Sequence, residues 1–179
     1  MKADRVLVPL DGSPLAEMAI PQALELLSDR PGSTLILLRA VETATLPGSD
    51  PTETQVGDVH EAESYLATVA ARLGEQGKTQ VVRSVWYSSA AKAIVEAARV
   101  RRVDVIVMST HGRSGLRGVM CGSVAESVLR HTRTPILLVS AGGGRLEALS
   151  GRGVGARTAS GRARSVMTSP DECARGRMP

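Results

Sequence analysis

Short apolar runs alternate with longer amphipathic segments along the first 140 residues, and this alternation is the strongest constraint on the fold. The five apolar runs resemble buried strands and occupy residues 5–10, 34–41, 80–87, 103–109 and 135–140. The segments between them place apolar residues at helical spacing, over about 14–29, 56–76, 90–102 and 123–131. This order predicts an α/β fold, a five-stranded parallel sheet with helices on both faces and right-handed crossovers.

The connection between the fourth strand and the next helix is rich in glycine. It contains Gly112, Gly115, Gly118 and Gly122, and Ser123 follows the last of them. Glycines let backbone N–H groups approach an anion closely, and the unpaired N–H groups of a helix's first turn point the same way. A strand, a glycine-rich loop and a helix N-terminus in this order predict a phosphate-binding site.

The spacing within this loop is distinctive. The chain reads Ser109-Thr-His-Gly112, then nine residues, then Gly122-Ser123. This resembles the motif Gly-x2-Gly-x9-Gly-(Ser/Thr) of the nucleotide-binding members of the universal stress protein family, with serine replacing the first glycine. The stretch Val-Leu-Val-Pro-Leu-Asp-Gly-Ser at 6–13 is similar to that family's first strand and loop, and Thr-Pro-Ile-Leu-Leu-Val at 134–139 to its last strand. The resemblance covers residues 2–140.

The resemblance implies a Rossmann-like sheet of the adenine nucleotide alpha hydrolase-like type, with strand order 3-2-1-4-5. The first and fourth strands are then neighbours, so the turn at Asp11 and the loop at Gly112 share one crevice. ATP with Mg²⁺ is the implied ligand, with backbone N–H groups near Gly112 and Gly122 on its phosphates and Asp11 beside its ribose or a metal-bound phosphate. Pro9 and Val41 match positions that line the adenine pocket. The full set of predicted cofactor-binding residues is Pro9, Asp11, Ser13, Val41, Met108, Ser109, Gly112, Arg113, Gly115, Gly122, Ser123 and Val124.

The implied function is that of an ATP-binding regulator or sensor in the stress response, with slow or no hydrolysis. The resemblance also implies a homodimer through the fifth strand. The apolar run 136–139 agrees, because an uncovered apolar edge strand invites pairing. The alternative is a non-nucleotide-binding interaction protein on the same fold, since some members of the family have lost the loop.

Several candidate residues also have a purely structural interpretation. The glycine segment could be an ordinary surface loop. Ser123-Val-Ala-Glu126 matches a capping box, in which the serine hydroxyl accepts a hydrogen bond from the N–H of Glu126. Asp11 could accept a hydrogen bond from its own turn. Arg113 could be solvated rather than paired with phosphate, and Pro9 and Val41 could be ordinary strand residues.

No known catalytic arrangement stands out in the sequence. It has neither the Gly-x4-Gly-Lys-(Ser/Thr) loop of P-loop enzymes nor a Gly-x-Ser-x-Gly elbow. The loop after the first strand matches neither His-x-Gly-His nor Ser-Gly-Gly-x-Asp-Ser, so an adenylate-forming enzyme is disfavoured. Cys121 and Cys173 have no metal-binding spacing. We expect no catalytic residue, no protein-held metal, and at most a weak ATPase.

The charge is concentrated at the end of the chain. Residues 141–179 contain seven arginines and three acidic residues, whereas residues 1–140 are neutral overall. We therefore predict a domain over 1–140 and a Gly/Arg/Ser-rich basic tail over 141–179 that is disordered, apart from a short helix near 145–149. Contact with nucleic acid is expected only through this tail. No apolar run is long enough to span a bilayer and no signal peptide begins the chain, so a cytoplasmic location without a membrane partner is expected.

Overall fold

A computed structural model describes residues 2–28, 30–42, 51–74, 79–110, 122–140 and 146–149 of the chain. The strands are β1 Arg5–Pro9, β2 Thr34–Val41, β3 Gln80–Tyr87, β4 Val105–Thr110, β5 Ile136–Ser140 and β6 Leu146–Leu149. The helices are α1 Pro14–Glu17, α2 Ala19–Leu26, α3 Pro51–Gly74, α4 Ala90–Val100 and α5 Ser123–His131.

The sheet has the order β3-β2-β1-β4-β5-β6. The first five strands are parallel, so the predicted order 3-2-1-4-5 is confirmed. β6 adds to this sheet as an antiparallel partner of β5, with Ile136 opposite Leu149 and Val139 opposite Leu146. The sheet thus continues past residue 140, where we had placed the end of the domain.

Two expectations about this end of the sheet are wrong. The segment near 145–149 is not a helix, because β6 pairs there along β5. β5 is not an uncovered edge either, since the same pairing occupies its outer side. A four-residue strand has no measurable periodicity, so only its position beside β5 distinguishes it from a short helix.

β1, β2, β4 and β5 are buried on both faces, as is usual in parallel sheets, whereas β3 is mostly half-buried or exposed. Val6 and Val8 of β1 pack with α1, α2 and α3, whereas Leu7 between them packs with α4 and α5. In β2, Leu35 and Leu37 pack on the same side as Val6 and Val8, and Ile36 and Leu38 pack on the same side as Leu7. Aliphatic side chains and alanines fill both layers, consistent with an aromatic content of 2%.

The first predicted helix is divided into α1 and α2 at Met18. Pro21 is the reason: it has no N–H for the carbonyl of Glu17, four residues earlier, and its ring clashes with that carbonyl. The chain therefore breaks before the proline, and Pro21 lies in the first turn of α2, where its missing donor is tolerated.

The pairing of β6 leads to a truncation test. A chain ending at residue 149 should melt like the full chain, whereas one ending at 140 should melt roughly 3–8 °C lower, because losing a few ladder hydrogen bonds removes about 1–2 kcal/mol. Thermal unfolding followed by circular dichroism measures both. Equal melting temperatures for the two truncations would show that β6 contributes nothing to stability.

Candidate functional site

The strand order reverses between β1 and β4, which is where open parallel sheets bind ligands at their carboxyl ends. Val6 pairs with Val105 and Leu7 with Ile106. Continuing this register places Pro9, the last residue of β1, level with Met108, two residues before the end of β4. Met108 is buried and Pro9 is half-buried.

The turn after β1 is organised by Asp11 and Ser13. Oδ1 of Asp11 accepts a hydrogen bond from the Ser13 backbone N–H at 2.8 Å, and Oγ of Ser13 accepts one from the Ala16 N–H at 3.1 Å, which caps α1. Gly12 between them has φ of 90°, a conformation that favours glycine. The structural interpretation of Asp11 therefore applies, and its exposed side chain lies just after the carboxyl end of β1.

The charge of Asp11 is favoured by its surroundings. Partial burial opposes ionisation, but hydrogen bonds from Ser13 and the nearby Arg39 cation together hold the pKa of Asp11 below its ordinary value. Asp11 is therefore an anion at neutral pH. An anion here suits a ribose hydroxyl or a metal-bound phosphate better than a bare phosphate oxygen.

Arg39 is a member of this site that our sequence analysis missed. It lies near the end of β2 with its side chain 19% exposed, and its guanidinium stands 5.1 Å from the centre of the Tyr65 ring. Nη2 is 3.6 Å from the Glu61 carboxylate. Nη1 lies so close to the Gly12 turn that a Cβ on Gly12 would come within 2.5 Å of it. An arginine inside an otherwise apolar strand was the signal that could have identified it.

Helix α3 is tied to the same turn through polar contacts. Tyr65 donates from its hydroxyl to Oε1 of Glu17 at 3.0 Å, and Arg72 donates to Oε2 at 2.6 Å. Burial and the bond to Glu17 raise the pKa of Tyr65 well above its ordinary value, so it stays a neutral donor. Arg39, Tyr65 and Glu17 thus connect β2, α3 and α1 beneath the Asp11 turn.

The N-terminus of α5 forms another wall of the predicted crevice. Gly122 is its N-cap, and the Glu126 N–H donates to the Gly122 carbonyl at 2.9 Å. Ser123 is the first helical residue and is exposed, so the capping box expected for it is wrong. Its hydroxyl belongs to the residue after the N-cap, whereas a capping hydrogen bond is accepted by the side chain of the N-cap residue itself. Among the described residues no side chain caps this helix, so none of them occupies the N–H groups of Ser123 and Val124.

The remaining predicted residues divide into two groups. Val41 is buried at the end of β2, Ser109 pairs with Val139 in β4, and Val124 is 37% exposed on the first turn of α5. Gly112, Arg113 and Gly115 lie outside the described residues.

The described residues contain neither a metal-binding cluster nor a membrane-spanning helix. Within the ranges given above, no three His, Cys, Asp or Glu side chains are grouped to hold a metal ion. None of the helices in those ranges is long and apolar enough to cross a membrane.

A parallel α/β sheet with the order 3-2-1-4-5 and helices on both faces defines a Rossmann-like class of fold. The model of the Universal stress protein family matches residues 2–140. Universal stress protein Rv2005c of Mycobacterium tuberculosis is 36% identical over 137 residues, which are 74% of this chain and 44% of that protein. This chain belongs to the universal stress protein family, as the glycine spacing predicted.

Solved structures agree with this assignment. A universal stress protein family structure from Burkholderia pseudomallei is 31% identical, with a TM-score of 0.61 over 76% of this chain and 95% of that one. A universal stress protein solved in complex with cAMP has a TM-score of 0.60 at 22% identity, covers 78% of this chain and 98% of that one, and supports the fold alone. The chain spans less than half the length of Rv2005c.

The contact between Gly12 and Arg39 can be tested with a matched pair of substitutions. Gly12→Ala and Gly32→Ala both place a Cβ at φ near 90°, which costs about 1–2 kcal/mol. A Cβ on Gly32 meets nothing within 4 Å, whereas one on Gly12 displaces Arg39. Urea unfolding should therefore show the larger loss for Gly12→Ala, and equal losses would mean that the Arg39 contact is unimportant.

The charge of Asp11 gives a pH prediction. Asp11→Asn keeps the oxygen that accepts from Ser13 and removes only the charge. Because the pKa of Asp11 is lower in the folded protein, its carboxylate stabilises the fold above the unfolded pKa, and this contribution is lost as pH falls through the folded pKa. Wild type should be more stable than the variant at pH 7, with the difference disappearing at low pH. Denaturant titrations from low pH to pH 7 measure the difference in stability between wild type and variant. A difference that does not change with pH would contradict the prediction.

Proposed function

We propose that this protein binds ATP, together with Mg²⁺, at the carboxyl ends of β1 and β4, and acts in the stress response as a nucleotide-dependent regulator or sensor. The observation that carries the proposal is the uncapped N-terminus of α5, which stands after β4 while the Asp11 turn stands after its neighbour β1. Free N–H groups favour phosphate, and the helix dipole adds to the attraction.

The residues of the crevice suit the parts of a nucleotide. The N–H groups of Ser123 and Val124 would bind phosphate oxygens beside Gly122, where a Cβ would meet nothing within 4 Å, so the space is open. Asp11 would accept from the ribose or contact the Mg²⁺ that the phosphates carry, since Mg²⁺ commonly binds through one carboxylate and substrate phosphates. The apolar ends of β1 and β2 at Pro9 and Val41 would contact the base.

A slow or absent hydrolysis follows from the groups present. Asp11 is the acidic side chain identified at the crevice, and its carboxylate is hydrogen-bonded within its own turn. A general base must reach the attacking water with a pKa near the working pH, and the pKa of Asp11 is lowered. A universal stress protein has been solved in complex with cAMP, so a domain of this fold can hold a nucleotide.

The homodimer through β5 stays a prediction, and the structure adds a condition to it. β6 pairs along the outer side of β5, so a second copy would have to replace β6 to pair there. A cytoplasmic location also stays part of the proposal, because an ATP ligand requires a compartment that contains ATP.

A Gly122→Val variant tests the proposal. The wider side chain fits the free helix end but fills the position proposed for phosphate, so ATP affinity should fall at least about tenfold while the fold is retained. Gly57→Val is the matched control, because Gly57 lies on α3 and also has open space at its Cβ. Isothermal titration with ATP and Mg²⁺ measures affinity, and native mass spectrometry of freshly purified protein reports any retained nucleotide.

Two results would count against the proposal. Full ATP affinity in Gly122→Val would show that the site is misplaced. Failure of the wild type to bind ATP would favour the alternative, an interaction protein on the same fold.

A further inference from the structure

A cavity of about 390 Å³ lies at the opposite end of the sheet from the proposed nucleotide site. It is formed where β1 and β4 begin and where the turn after α2 enters β2, so all three contributing segments lie at amino ends of parallel strands. Its charged lining consists of Asp4, Arg5, Arg30, Arg102 and Asp104. The volume is within the range of small-molecule sites.

The two carboxylates in this cavity are already used by the fold. Oδ2 of Asp104 accepts the backbone N–H groups of Asp4 at 3.0 Å and Arg5 at 2.8 Å. Oδ1 of Asp4 accepts from the Ser28 hydroxyl at 2.6 Å, and its Oδ2 lies 3.8 Å from Arg30. None of these contacts involves the guanidinium of Arg5 or Arg102, so the carboxylates do not occupy the donors of those two side chains.

The guanidinium groups retain most of their donors. Arg5 uses one N–H on the carbonyl of Arg101, at 3.0 Å. Within the described part of the chain, the exposed Arg102 side chain has neither a hydrogen-bond nor an ion-pair partner. Since an arginine carries five N–H donors and no acceptor, the cavity is rich in donors. Its three arginines exceed its two carboxylates by one positive charge.

The backbone of Arg102 gives an independent reason to ask what its side chain does. Arg102 follows α4 with φ of 51°, and the Val103 N–H donates to the Ala98 carbonyl at 2.9 Å, as in a Schellman motif. Glycine is the usual residue at this position because any Cβ is strained there. Glycine would end the helix with less backbone strain, so the helix ending does not explain the presence of an arginine at this position.

We propose that this cavity is a second ligand site, which binds a small phosphorylated anion through Arg102 and Arg5, with Arg30 at its rim. Guanidinium groups bind phosphate oxygens in a bidentate, charge-assisted manner. Asp4 and Asp104 hold the strand ends that present these arginines. The site is independent of the proposed ATP crevice, which lies at the carboxyl ends of the strands.

Arg102→Gly separates ligand binding from folding. It removes the guanidinium and also relieves the strained backbone, so the melting temperature should stay the same or rise while anion binding weakens about tenfold or more. Arg83→Gln is the charge control, because Arg83 is exposed on β3 and does not line the cavity. The probe is inorganic pyrophosphate, titrated into the full chain by calorimetry at fixed ionic strength, and a parallel titration with a sugar phosphate distinguishes free phosphate from phosphate esters.

The outcomes are distinct. Saturable binding of either probe that is lost in Arg102→Gly, kept in Arg83→Gln and kept in Gly122→Val supports the proposal. Absence of saturable binding of both probes to wild type at millimolar concentration overturns it. Loss of binding in Gly122→Val but not in Arg102→Gly would place the anion at α5 instead. A lower melting temperature for Arg102→Gly would show that the arginine serves the fold. Either result overturns the proposed anion site without affecting the proposed ATP site.

Discussion

The pairing of β1 with β4 is the constraint on which the rest of this structure depends. Asp104 fixes it at the start, since its carboxylate accepts two N–H groups from the beginning of β1 and its own N–H donates to the Arg5 carbonyl at 2.9 Å. This sets the register for the whole strand pair. Pro9 and Met108, two of the predicted site residues, are level with each other in the register that this contact anchors at the far end of the sheet.

The same pairing places a candidate site at each end of the sheet. Strand order reverses at β1, so the connections to α1 and α5 lead to opposite faces, and parallel sheets bind ligands at the carboxyl ends of the strands at such a point. At the amino ends, the turns after α2 and α4 meet beside β1. What differs is the chemistry: uncapped helical N–H groups with an acidic turn at one end, and arginine side chains at the other.

Sequence periodicity located most of the fold because each buried strand of a parallel sheet is a continuous apolar run. β2, β3 and α5 have the predicted bounds, since turn residues or abrupt changes of polarity stand at both ends. β6 could not be found this way, because its identity comes from hydrogen bonds to β5 and not from its own sequence. Ser123 shows the same limit in a helix, since a motif matched the capping box while the backbone placed the cap one residue earlier, at Gly122.

The candidate site was predictable to a smaller extent than the fold. The glycine spacing identified the family, and strand order then placed Asp11 beside the loop after β4. Arg39 was not found, because a motif selects residues close to the ligand and gives no weight to a side chain that reaches the turn from the neighbouring strand.

The net charge of the domain says little about a local anion site. Residues 1–140 are neutral overall, and that neutrality argues only against a large nucleic-acid footprint on the domain. A domain with no net charge can still have local surfaces that carry a net charge. Asp4 and Asp104 count against two arginines in the total, yet their oxygens are held by backbone N–H groups, a serine and a distant guanidinium at 3.8 Å. A carboxylate that is satisfied by the backbone still contributes its charge, but it no longer occupies the donors of the arginines beside it. The binding capacity of a surface therefore follows from which hydrogen-bonding groups are already used, and a count of charges along the sequence cannot supply that information.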